Sequence, residues 1–254
     1  MNPTAAVAIC VALFVAMLAG LEIGFRIGRR DQSKALDRDA RGVFETAILA
    51  LFALLLAFTF AGAMDRFATR RALIIREASA IATVYYRVDV LPRPYRDEMR
   101  GLLHGYMEVR RQVVDHFDPR QGIVASLRPV LQMHKRIWEM ALEASRSDDT
   151  QNTSRLLLPA LNELIEVSMA RAIMSRAHVP SVILLLLLAV ALFTSLLAGY
   201  GMARSGRRSP LHGLLYTAAV CLTIYVGLDL DNPAQGLIQL EAAEKLLRDL
   251  LQGI

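Results

Sequence analysis

The run GVFETAILALFALLLAFTFAGAMDRFATRRALIIREASAIATVYYRV, which extends from Gly42 to Val88, decides the fold of this chain. Its first half, 42–64, is apolar and long enough to cross a bilayer, which takes about 20 residues. Its second half spaces apolar residues three and four apart between charged ones, which is typical of an amphipathic helix. Because no proline interrupts the run, we predict one long helix that leaves the membrane and enters a polar domain.

The composition of the remaining chain also indicates a membrane protein. Of its 254 residues, 54% are hydrophobic and 21% are charged, and the apolar residues are concentrated in four runs. These runs, 4–27, 42–64, 179–202 and 211–228, predict four transmembrane helices. We interpret the first as a retained span rather than a signal peptide, because no basic residue precedes Arg26. Cys10 and Cys221 fall inside predicted spans and are interpreted as small apolar side chains.

The segment between the second and third spans predicts a helical domain. It carries four amphipathic helices and shows no alternation typical of strands. The fourth helix begins near Arg155 and is expected to continue towards the third span, where Pro180 starts or kinks it. We therefore predict an all-α membrane protein with four transmembrane helices and a four-helix extramembrane domain whose helices are continuous with the spans. The predicted parts are 1–64, the domain 65–177, the spans 178–229, and a C-terminal turn with a short amphipathic helix at 230–254.

The basic residues suggest an orientation for the chain. The two short loops carry nine of them, which favours a cytoplasmic position for both loops and an external position for the domain. The loop residues are Arg26, Arg29, Arg30, Lys34, Arg38, Arg41, Arg204, Arg207 and Arg208. Arginines near the span ends on the domain side, Arg66, Arg70, Arg71, Arg76, Arg171 and Arg176, argue the other way. The net charge of +5 is explained by these flanks, so we expect no nucleic-acid partner.

Motifs for chemistry are scarce. No zinc-protease, phosphate-loop or nucleophile-elbow motif is present, so we expect no enzyme and no cofactor. The cluster Asp115, His116 and Asp118 is interpreted as a helix end, with a metal or catalytic role as the less favoured alternative. Asp229 and Asp231 are weak candidates for a metal ion, because the twelve-residue calcium loop is missing.

One face of the second span has the pattern of a functional site. Ala50, Leu54, Phe58 and Gly62 recur every four residues along it. Such a face either packs against neighbouring helices or, in a symmetric ring, lines a pore with a hydrophobic constriction. Three basic side chains lie just beyond it, and they either anchor the helix in lipid headgroups or form basic rings at the pore exit that attract anions. These side chains are Arg66, Arg70 and Arg71.

Two stretches carry a resemblance to a known family. The run LLLAFTFAGAMDRFATRRALIIREASAIATVYYRVDVLPRPYR at 54–96 and the tail LDLDNPAQGLI at 228–238 resemble the bestrophin-like domain family of bacterial membrane proteins. Within the first stretch, LLLAFTFAGAMDRF is similar to the pore helix of the bestrophin anion channels.

The resemblance implies a pentamer with four spans per subunit and a helical cytosolic domain between the second and third. It places three neck positions at Ala50, Leu54 and Phe58, although the Ala50 methyl group is too small to narrow a five-fold neck. A bestrophin calcium site requires an acidic cluster after the fourth span, which only Asp229 and Asp231 approach. The cytosolic domain that it implies is the reverse of the orientation favoured by the loop charges.

The sequence therefore predicts an oligomeric ion channel of the bacterial inner membrane. We expect a homo-oligomer, with a pentamer favoured, that passes anions such as chloride through a pore lined by the second span. Membrane lipid, further copies of the chain and ions are its expected partners. The alternative is a non-transporting membrane sensor or interaction protein, whose helical domain binds a ligand or partner.

Overall fold

The fold is described by a computed structural model covering residues 3–30, 38–115, 123–147, 151–204 and 209–231. Within these ranges the chain forms helices and short connections, without strands. The main helices are α1 (Pro3–Arg30), α2 (Arg38–Arg87), α3 (Arg93–Asp115), α4 (Ile123–Arg146), α5 (Leu158–Met174), α6 (Ser181–Arg204) and α7 (Pro210–Leu230). The stretches that are long and apolar enough to cross a membrane are Thr4–Arg30, Gly42–Val90, Ser181–Arg204 and Pro210–Leu230. The predicted all-α membrane fold is confirmed.

The long helix predicted from the sequence is present as α2. It is continuous over 50 residues, which corresponds to about 75 Å of helix. A 3₁₀ turn at Val88–Val90 follows it, and Leu91 then adopts an extended conformation with φ of −68° and ψ of 146°. Pro92 accounts for this end, because a residue that precedes proline is disfavoured in the helical region. The uninterrupted passage from apolar to amphipathic sequence is therefore confirmed.

The start of the third span differs from the expected continuous helix. Helix α5 ends at Met174, and α6 begins only at Ser181. Pro180 supplies a carbonyl to the first turn of α6 but has no N–H with which to extend α5. The backbone N–H of the preceding residue, Val179, is instead donated to a carboxylate oxygen of Asp231 at 2.8 Å. A side-chain partner thus takes the place that a helical carbonyl would occupy.

One compact unit contains residues 3–68 and 178–231. Helices α1 and α6 approach each other closely in it, because glycines line the contact. A Cβ built on Gly24 would lie 2.0 Å from the Leu196 carbonyl oxygen, and one on Gly199 would lie 2.0 Å from that of Leu21. This is the close backbone approach that small residues permit in membrane helices. The buried core nearby includes Cys10, Met17, Phe52, Leu187, Ala191, Cys221 and Ile224.

A second compact unit contains residues 69–177. The later part of α2 packs there with α3, α4 and α5 around a core of large side chains. Its fully buried members include Val84, Met99, Leu103, Tyr106, Ile137, Leu157, Leu161 and Leu164. A π turn at Thr153–Leu157 leads into α5, and Gln151 before it has a positive φ of 56°.

Candidate functional site on α2

The predicted stripe of α2 is exposed in the single chain. Leu54 and Phe58 are 52% and 69% exposed, Ala50 is also exposed, and Gly62 is half-buried. Only 11% of the most apolar window of this span is buried, against 28% to 33% in the other three. The chain therefore covers α2 less than any other described span and leaves the stripe available to lipid or to another subunit.

Arg66, predicted as the first residue of a basic ring, has a partner within the same unit. Its Nε donates to Oδ1 of Asp231 at 2.7 Å, and its side chain is only 19% exposed. Asp231 is 4% exposed, and its second carboxylate oxygen accepts the Val179 N–H. The pair is neutral, so most of the charge that Arg66 would offer to a passing ion is compensated. The same contacts occupy both oxygens of Asp231, one of the two weak metal candidates.

Arg70 and Arg71 are placed differently from each other. Arg70 is 5% exposed, and it donates to the carbonyl oxygens of Met174 and Ala177 at 3.3 and 2.5 Å. These carbonyls lie at and just beyond the end of α5, where a guanidinium is a favourable partner for the last acceptors of a helix. The Met174 carbonyl also accepts the Ala177 N–H. Arg71 is exposed. Of the three arginines, it alone presents its side chain fully to the surroundings of the single chain.

A buried polar cluster around Glu77 was not predicted. The Glu77 carboxylate accepts from Nε of Arg110 at 2.8 Å, from Nη1 of Arg171 at 2.5 Å and from the Tyr106 hydroxyl at 3.1 Å. Tyr106 also lies 3.2 Å from the Ser168 hydroxyl. Burial alone would raise the pKa of Glu77, but the two guanidiniums override it and lower that pKa to about 2. Glu77 is therefore ionised across the physiological range.

A sequence signal for this cluster did exist. Glu77 lies between Ile74 and Ile81 on the predicted apolar stripe, so its carboxylate faces the core of the bundle. A charged residue on such a face requires a buried partner. The sequence gives no means of identifying Arg110 and Arg171 as those partners, because they are 33 and 94 residues away.

The other side chains considered in the sequence analysis do not form a site within the described part of the chain. Asp229 is buried at 6% exposure, and no group of three or more possible metal-ligating side chains occurs within the described ranges. Cys10 and Cys221 are buried among apolar residues of the first unit. The side chains of Asp115, His116 and Asp118 lie outside the described part of the chain, as do the loop residues Lys34, Arg207 and Arg208 and the predicted C-terminal helix.

Comparisons with known proteins place this geometry in context. A sequence model of the Bestrophin-like domain matches residues 5–244. A bacterial bestrophin homologue from Klebsiella pneumoniae, in a tryptophan-to-alanine variant, matches with a TM-score of 0.70 at 14% identity, with 97% of each chain covered. A structure of a Klebsiella pneumoniae homologue phased with zinc gives 0.68 at 15% identity and the same coverage. No curated protein matches the sequence.

Proposed function

Because this chain belongs to the Bestrophin-like domain family, we propose that it forms a homo-oligomeric ion channel in the bacterial inner membrane, with α2 lining an anion-permeable pore. The exposed stripe of α2 is the observation that carries this proposal. An apolar helix with so little cover from its own chain gains contacts when copies assemble around a common axis. A pentamer is the favoured assembly, as the resemblance to bestrophins implies.

Within such a pore, Leu54 and Phe58 form the hydrophobic constriction. Their side chains are large and exposed, and a ring of them restricts water as well as ions. Ala50 and Gly62 are small, so the pore widens on either side of the constriction. Arg71 supplies the positive charge that concentrates anions, because its side chain is exposed, whereas Arg66 is paired with a carboxylate and Arg70 is buried.

Current recordings from protein reconstituted in planar bilayers test the proposal. Phe58→Ala is expected to raise the conductance, because it removes the larger side chain of the constriction. Phe193→Ala is the matched control, since Phe193 is an equally exposed phenylalanine, at 64%, on another span. Arg71→Glu is expected to lower the preference for anions over cations. Absence of any conductance, or currents that Phe58→Ala and Arg71→Glu leave unchanged, would contradict a pore along α2.

Native mass spectrometry distinguishes the channel from its alternative. Five copies per particle support the proposed ring, whereas two copies without conductance favour a non-transporting sensor or interaction protein. The short basic loops are proposed to face the cytoplasm, as their charge indicates. Labelling of an introduced cysteine at exposed Lys135 by an impermeant reagent on intact cells checks that orientation.

A further inference from the structure

His134 of α4 is buried without a hydrogen bond to any described residue. It is 5% exposed, and neither ring nitrogen has a hydrogen-bond partner among the described residues. Its ring lies on Tyr106 of α3, with 5.2 Å between the ring centroids and 32° between the planes. A buried imidazole without a partner is destabilising even when neutral, and more so when it is charged. The proton affinity of this ring is therefore coupled to its packing.

Among the described residues, Glu77 is the carboxylate whose charge acts on His134, and it is already bound to two guanidiniums. The elements packed against it contribute Glu77 from α2, Tyr106 and Arg110 from α3, and Arg171 from α5. Glu77 already accepts from both arginines and from Tyr106. A proton on His134 would add a positive charge to a buried site.

Helix α4 is attached to the bundle differently from its neighbours. Glu77 links α2 to α3 through Arg110 and to α5 through Arg171. Among the described residues, the core contacts of α4 are apolar and come from Val130, Ile137, Ala141 and Ala144. One ion pair joins Lys135 to Glu139 within the helix itself, and both side chains are exposed. A positive charge on His134 would therefore act on a helix that forms no described ion pair with Glu77.

We propose that protonation of His134 releases α4 from the rest of the helical bundle. Protonation of the buried imidazole separates α4 from the face of α3 that carries Tyr106 and Arg110, while Glu77 keeps α2, α3 and α5 together. This inference concerns residues 69–177 alone and does not depend on whether the chain conducts ions.

The expected size of the effect follows from proton linkage. Burial lowers the pKa of His134 to about 4, although the charge of Glu77 raises it and that of Arg110 lowers it less strongly, whereas an exposed imidazole titrates near 6.5. Between these pH values the released form binds more protons than the packed form, so acid favours release. The equilibrium constant for release is expected to rise about 20-fold between neutral pH and pH 5.

The fluorescence emission of Trp138 reports the release of α4. This residue is the single tryptophan of the chain, lies one turn from His134 on α4, and packs partly buried against the core. We would record its emission between pH 7.5 and 4.5 with the full chain in phosphatidylcholine nanodiscs. The wild type is expected to shift to longer wavelength below pH 6 while the far-ultraviolet circular dichroism stays helical.

Substitutions at two histidines give the control. His134→Phe keeps a ring against Tyr106 and cannot take a proton, so the shift should vanish. His134→Gln serves the same purpose if the Phe variant does not fold. His104→Phe alters an exposed histidine of α3 and should keep the shift. A shift that persists unchanged without His134, or a wild type whose tryptophan moves only when helicity is lost, would overturn the proposal.

Discussion

Individual charged residues of α2 acquire their roles from the residues that they meet in the fold. In the sequence, Arg66 and Arg70 stand near the end of a span as candidates for a basic ring, whereas Glu77 has no predicted role. In the structure, Arg66 meets Asp231, Arg70 meets carbonyls beyond α5, and Glu77 meets two arginines. Each of these contacts stabilises the chain locally, and those of Arg66 and Glu77 also pair their charges with opposite ones.

Replacing Glu77 tests the buried cluster. Glu77→Gln removes the carboxylate that the Arg110 and Arg171 guanidiniums share, and this is expected to destabilise the protein by about 3–5 kcal/mol. Glu163→Gln is the control, because Glu163 is 57% exposed and lies 3.8 Å from Arg76. Loss of this exposed ion pair should lower the free energy of unfolding by less than about 1 kcal/mol. Thermal unfolding in detergent, followed by circular dichroism, measures both.

Glu77 also predicts a pH dependence. Because its pKa falls from 4.5 to about 2 on folding, its stabilisation is fully present above pH 4.5 and is lost as the pH falls towards 2. In the Gln variant the unfolding midpoint should depend less on pH across this window. An equal dependence in both proteins would mean that Glu77 does not carry it. The His134 transition lies at higher pH, between 6.5 and 4, so the two effects are separable.

At the scale of secondary-structure elements, backbone proximity determines the packing of the membrane helices. Helices α1 and α6 meet along Gly20, Gly24 and Gly28 on one side and Gly199 on the other. Lipid tails are as apolar as leucine side chains, so helix association in a membrane depends on close van der Waals contact. A side chain at these glycines would keep the two backbones apart.

Adding one methyl group tests this contact. Gly24→Ala would place Cβ 2.0 Å from the Leu196 carbonyl oxygen, and the helices must separate to admit it. We expect a loss of about 1–3 kcal/mol and an apparent melting temperature lower by several degrees. Gly227→Ala is the control, since its Cβ would meet nothing within 4 Å. Similar melting temperatures for the two variants would contradict the close packing of α1 on α6.

At the scale of the whole molecule, a single chain leaves one of its apolar spans largely uncovered. The family assignment and the four spans fix it as a membrane protein of bestrophin-like fold. The least covered of these spans is the one whose stripe is proposed to line the pore. Assembly around α2 would account for the low coverage of this span and for its exposed stripe, because neighbouring copies would enclose the face that carries Leu54 and Phe58.

Cross-linking between copies tests the assembly. Phe58→Cys is expected to give disulfide-linked dimers on mild oxidation in membranes, because the residue is proposed to face the shared axis. Leu49→Cys lies nine positions earlier, on the opposite side of the same helix, and should remain monomeric. The native Cys10 and Cys221 are buried and do not interfere. Denaturing gels without reductant provide the measurement, and equal cross-linking at both positions would exclude a pore-facing Phe58.

The sequence alone determined the four spans, the continuous α2 and the family. These properties depend on the length of apolar runs, on residue spacing and on the absence of proline, all of which are local. Tertiary structure alone decided that Arg66 pairs with Asp231, that Glu77 binds two arginines and that His134 is buried without a hydrogen bond to any described residue. Such contacts join residues that are far apart in the chain, and only the packing of helices brings them within hydrogen-bonding distance.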